Sequence, residues 1–94
     1  MTKSEQLAKY IPNQGNDPLD KECGRRIIEL IRKRGLKHKD AVKILGWTTT
    51  TLYSYTSGRK RLRINRFAQL VDGLQLKQSE VVYLLEVYWE DDNG

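Results

Sequence analysis

The stretch that decides the fold is Ala41 to Gly58, AVKILGWTTTTLYSYTSG. Ala41, Val42 and Leu45 share one side of a short helical segment. Leu52 and Tyr55, three apart, share one side of the next, with Trp47 just before it. Gly46 lies between them and takes positive φ cheaply, which permits a tight turn between two packed helices. Thr48 is placed to cap the second helix, because its hydroxyl can accept from first-turn N–H groups. Gly58 follows the last periodic residue, where a left-handed residue ends a helix. Taken alone, TTTTLYSYT would suit a strand at least as well, since Thr and Tyr favour a pleated, half-buried surface. The flanks decide against it. Both are helical in period, no hairpin turn supplies a partner strand, and a lone strand would leave its backbone groups unpaired.

Working outward, Asp17-Pro18 reads as a helix start, an acceptor side chain followed by a proline at the first helical position. Leu19, Cys23, Ile27, Leu30 and Ile31 then form one stripe, giving a helix over 18–34 that Gly35 ends. Gly24 sits inside it at a cost of about 1 kcal/mol relative to alanine. Arg25, Arg26, Arg32, Lys33 and Arg34 fall on the solvent face, and Cys23 reads as a small core residue. A second helix covers 38–45 and a third 48–57. A fourth covers 64–73, with Ile64, Phe67, Ala68, Leu70, Val71 and Leu74 as its core set. The fifth starts near 77–79 and runs to 89. It carries more apolar surface than one core stripe needs. The excess predicts a second buried face, most simply a dimer interface through Val81, Leu84, Leu85, Val87, Tyr88 and Trp89. The expectation is an all-α, compact five-helix domain over 17–89. Residues 1–16, with Leu7, Tyr10 and Ile11 on one face, form a flexible arm or an extra short helix. Residues 90–94 form an acidic disordered tail.

The 94 residues suffice for one domain with a modest core. No apolar run is long enough to span a bilayer, and no signal-peptide pattern appears. A single cysteine excludes an internal disulfide and a Cys-rich zinc site, so a cytoplasmic setting is expected. The only histidine, His38, has no ligand cluster around it, so no metal and no cofactor are expected. The net charge of +5 is unevenly spread. Residues 21–66 hold 14 Lys and Arg against 3 Asp and Glu, an excess of +11, while the rest holds 3 against 9. Such a block calls for a polyanionic partner. The cations do not line one long amphipathic helix, which favours nucleic acid over a lipid surface.

Two short helices, a tight turn and a basic flank are the parts of a helix-turn-helix. From Arg25 to Leu85 the chain resembles the lambda repressor/Cro family, the xenobiotic-response-element type. The resemblance is carried by Arg34-Gly35-Leu36, Leu45-Gly46, and Thr48 to Arg59. Phe67, Leu70, Leu74, Leu76 and Val81 extend it. Departures are Ala41-Val42 in place of a large aliphatic then Ala, Thr56 for Glu, Leu62 for Pro and Gln75 for Gly. The resemblance implies a recognition helix in the major groove, with Thr49, Thr50, Tyr53 and Ser54 reading base edges. It also implies phosphate contacts from Lys37, His38, Ser57, Arg59 and Arg61. The cations of the same segments, Lys39, Lys60 and Arg63, and the cap Thr48 are added to that set. No Arg, Asn or Gln on the third helix offers a bidentate base contact, so base discrimination would be modest and shape readout would add to it.

The function expected is that of a homodimeric, sequence-specific regulator of transcription on double-stranded DNA, a repressor at an inverted repeat, working at the nucleoid. The alternative is an antitoxin-type protein whose main role is to bind a protein partner. No small-molecule substrate and no catalytic activity are expected. The chain lacks paired carboxylates, Ser/His/Asp or Cys/His sets and a phosphate loop.

Overall fold

The computed structural model describes residues 17–93, with side chains through Trp89. The reading of 1–16 as an arm or short helix lies outside the described residues. Five helices follow in order: α1 Pro18–Lys33, α2 His38–Leu45, α3 Thr49–Thr56, α4 Ile64–Gly73 and α5 Gln78–Asn93. No strand occurs among the described residues. The described residues are all-α.

Most helix ends have a local reason. Asp17 caps α1, its Oδ1 accepting from the Leu19 N–H at 2.9 Å, with Pro18 at the first position. Asp40 accepts the Lys37 N–H at 2.9 Å, which closes the first turn of α2. Thr48 caps α3 by accepting from the Thr51 N–H at 3.0 Å. At the end of α2, the Gly46 N–H donates to Lys43 O (3.3 Å) and the Trp47 N–H to Val42 O (3.2 Å), with Gly46 at φ 70°. This paired closure satisfies two of the last carbonyls of α2 and ends the helix on the left-handed Gly46. The same pattern closes α4, with the Gln75 and Leu76 N–H groups donating to Asp72 O and Val71 O. There the left-handed residue is Gln75, at φ 52°. A side chain in that region costs roughly 1–2 kcal/mol, so something must hold it.

Arg34 does so. Its guanidinium donates to Leu74 O (2.7 Å), Gln75 O (3.2 Å) and Leu30 O (3.2 Å), and forks onto Glu80 at 2.6 and 2.9 Å. Glu80 in turn accepts the Lys77 N–H at 2.8 Å, capping α5. One buried ion pair thus ties the end of α1 to the α4–α5 turn. The Arg34 contacts hold the Glu80 carboxyl down at about 2, against an ordinary 4.5.

Helix α1 packs on α3 and α5, and α2 packs on α3 and α4. The core joins Cys23, Ile27, Leu30 and Ile31 of α1 to Ala41, Trp47, Leu52, Leu70, Leu74, Leu84 and Val87. Burial pushes the Cys23 thiol pKa up, which keeps it a neutral core group. Gly24 proves to be a contact. A Cβ there would sit 2.3 Å from Thr56 O and 2.6 Å from Tyr55 O, so only glycine lets α1 meet the end of α3.

Several expectations are corrected. Ile64 is 82% exposed and Ala68 is exposed, so neither is core. Helix α4 instead turns Leu70 inward and leaves Phe67 and Val71 half-buried. Leu84 and Val87 are buried within this chain at 2% and 4%, so they cannot form a dimer surface. One helix face can serve only one interface, and α1 has claimed it. Arg26 and Arg34 are not solvated. Arg26 donates to Glu22, Glu86 and Tyr83 O and lies 4.4 Å from the centre of the Tyr83 ring. The helical backbone also continues past 89 to Asn93, where a disordered tail was expected. Extending a formed helix costs little per residue.

Candidate nucleic-acid interface

Helix α3 is short and capped, and it carries no charge. Leu52 is fully buried and Thr56 is 7% exposed, which fixes the inner face. Tyr55 is half-buried, its ring 5.6 Å from that of Trp47. The Trp47 indole N–H donates to Gln69 Oε1 at 2.8 Å, and Arg66 lies 5.0 Å from the centre of its ring. The turn between α2 and α3 is therefore anchored from α4. Thr49 and Thr50, in the first turn of α3, and Tyr53 are exposed, the last 55%. Ser54 is half-buried, and its hydroxyl donates to Thr50 O at 2.9 Å. Its proton is committed to the helix, so it retains only acceptor capacity.

Cations flank α3 along the chain. Lys37 and Lys39 stand at the start of α2; Arg59, Lys60 and Arg63 follow α3. All five are exposed and form no ion pair among the described residues. The Lys60 N–H donates to Ser54 O at 3.0 Å, which folds the basic loop back on α3. Gly58, at φ 81°, sits against the Lys21 backbone, where a Cβ would meet the Lys21 Cα at 2.7 Å.

Four of the expected phosphate contacts are placed otherwise. The Thr48 hydroxyl donates to Thr51 Oγ1 at 2.8 Å while accepting the Thr51 N–H, so it is spent on the cap. Ser57 is half-buried at the end of α3, with its Oγ buried and unpartnered among the described residues. His38 is half-buried and its Nε2 is likewise buried without a hydrogen-bond partner there. Arg61 donates to Asp20 at 2.9 Å and to Asp17 at 2.6 Å. Pattern reading missed Asp17, Asp20, Gln69 and Tyr88 as neighbours of this surface, because their partners lie 22 to 68 residues away in the chain.

The pairing of arginines redraws the charge map. Arg25, Arg26, Arg34 and Arg61 of the basic block are neutralised by carboxylates of this same chain. What remains is concentrated around α2, α3 and the loop after it. The candidate dimer residues divide as well. Leu85 (43% exposed) and Trp89 (62%) face outward with Val82 (46%), whereas Val81 and Tyr88 are half-buried. Among the described residues, no group of acidic, cysteine and histidine side chains could hold a metal ion, and no helix is long and apolar enough to cross a membrane. No protein-family model, curated protein or solved structure matches the chain.

Proposed function

We propose that this chain is a sequence-specific double-stranded DNA-binding protein, a transcriptional regulator that acts as a repressor. In this reading α2 and α3 form a helix-turn-helix of the lambda repressor/Cro type. One observation carries it: the neutral, exposed Thr49, Thr50 and Tyr53 are bracketed along the chain by two groups of exposed cations that no carboxylate of the described residues engages. A phosphate backbone fits that arrangement on both sides, and short hydroxyl side chains allow the helix close approach to base edges. Lys37, Lys39, Arg59, Lys60 and Arg63 hold phosphates. Thr49, Thr50 and Tyr53 meet the bases, with a Thr methyl able to contact a thymine methyl.

The protein acts as a homodimer. Val82, Leu85 and Trp89 lie at i, i+3 and i+7 on the outer side of α5 and form an exposed apolar stripe. A two-fold pair would set the α3 helices on half-sites about 34–36 Å apart, one turn of duplex. The protein is non-catalytic and works at the nucleoid. The same stripe supports a second reading, an antitoxin-type protein that uses it to bind a different protein. Co-purification of a small partner in fixed ratio would favour that reading.

The test is selection of bound sequences from random duplex DNA, followed by a base-by-base affinity profile of Thr50→Gln. A glutamine there can pair bidentately with adenine, worth about 1–3 kcal/mol of discrimination at one position per half-site. The profile should change at that position and the melting temperature should not. An unchanged profile would show that α3 is not the reading element.

A further inference from the structure

We propose that Arg61 is a positioning residue that locks the basic loop after α3, so that Arg59 and Lys60 and not Arg61 meet the phosphates. The proposal rests on the DNA-binding reading above. Arg61 makes two charge-assisted bonds, Nε to Asp20 Oδ1 (2.9 Å) and Nη2 to Asp17 Oδ2 (2.6 Å). Its guanidinium carbon lies 4.7 Å from the centre of the Tyr88 ring. The Tyr88 hydroxyl donates to the same Asp20 oxygen at 2.7 Å. Three elements, the start of α1, the loop and α5, therefore meet on one planar cation.

Asp17 is held by its cap bond to Leu19, and Asp20 is 8% exposed. Moving Arg61 to a phosphate would strip Asp20 of its cation and leave a nearly buried carboxylate without a counter-charge, a costly state. Arg59 and Lys60 face no such conflict. Their loop is pinned on one side by Gly58 against Lys21 and by the Lys60 N–H on Ser54 O, and on the other by Arg61. A loop held at both ends presents its two free cations without the entropy cost of ordering them on binding. Because Tyr88 stands next to Trp89 on α5, the clamp also links this loop to the helix that carries the outer apolar stripe.

The test turns on a sign. Anisotropy titrations of a labelled random-sequence duplex, across a range of KCl concentrations, compare wild type with Asp20→Asn, Tyr88→Phe and Arg61→Lys, with thermal melts alongside. Asp20→Asn removes a negative charge beside a basic loop, so simple attraction would tighten binding. The clamp predicts weaker binding by about three- to tenfold, the scale of one charge-assisted bond lost at a half-exposed site. Tyr88→Phe changes no charge and should weaken binding in the same direction. Arg61→Lys keeps the charge needed for a phosphate but not the fork that spans two carboxylates, and should not restore wild-type affinity. Should Asp20→Asn fail to fold, the other two variants decide. Tighter binding by Asp20→Asn, an unaffected Tyr88→Phe, or full affinity in Arg61→Lys overturns the clamp while leaving DNA binding intact. A wild type that shows no salt-dependent binding overturns the DNA reading itself.

Discussion

Substituting Gly24 by alanine sets helix propensity against packing, and the two predict opposite signs. Gly24 occupies the middle of α1, where alanine would ordinarily gain about 1 kcal/mol. The added Cβ would lie 2.3 Å from Thr56 O and 2.6 Å from Tyr55 O, whereas ordinary contact begins near 3.4 Å. The end of α3 would have to retreat by about 1 Å, the difference between those two distances. The atoms met are backbone carbonyls, which cannot rotate aside as a flexible side chain would. Overpacking of this kind costs typically 1–3 kcal/mol, and a backbone clash belongs at the upper end. The net expectation is a loss of about 1–2 kcal/mol, or roughly 5–15 °C in melting temperature for a domain of this size. Calorimetric or circular-dichroism melts of wild type and Gly24→Ala measure it, with Arg32→Ala as a solvent-facing control on the same helix. Because α3 would move, DNA affinity should fall with stability. A melting temperature raised by Gly24→Ala would refute the close approach of α1 and α3.

Two further outcomes follow from the ion pair and from α5. Glu80 titrates near 2 in the folded protein against an ordinary 4.5, so its stabilisation is present above about 4.5 and is lost as pH falls toward 2. It amounts to about 3 kcal/mol at most, less where solvent screens the partly exposed Arg34. The urea midpoint of Glu80→Gln should lie below wild type at neutral pH and converge with it near pH 2; parallel curves would remove the pair from the account. Val82→Glu with Leu85→Glu, both at exposed positions, should leave the melting temperature nearly unchanged but convert a dimer to a monomer in sedimentation. A wild type that is monomeric both free and on DNA would exclude the interface.

Local chemistry in the sequence was enough to place the helices. Asp17-Pro18, Thr48, Gly35 and Gly46 start or stop them through bonds to neighbours a few residues away, so the signal and its effect lie in one window. The inward stripe of α1 was legible for the same reason, since periodicity fixes which side chains share a face, whereas of the four α3 residues expected to face outward Ser54 is half-buried and the other three are exposed. Periodicity cannot say which of two apolar faces meets the core. It therefore assigned Leu84 and Val87 to a partner and Ile64 to the interior, and tertiary packing decided both the other way. Nor does a count of charges say which are spent. Arg61 stands in an unbroken basic run, Arg59-Lys60-Arg61, yet its partners Asp17 and Asp20 lie more than forty residues back. Only the folded chain brings carboxylates of α1 within bonding distance of one cation in that run and leaves its neighbours exposed. Gly24 is the plainest case: a weak helix residue by sequence, and by structure a position where α1 meets the backbone at the end of α3. Contacts within a turn are written in the sequence, whereas contacts between helices depend on distances that exist only after folding.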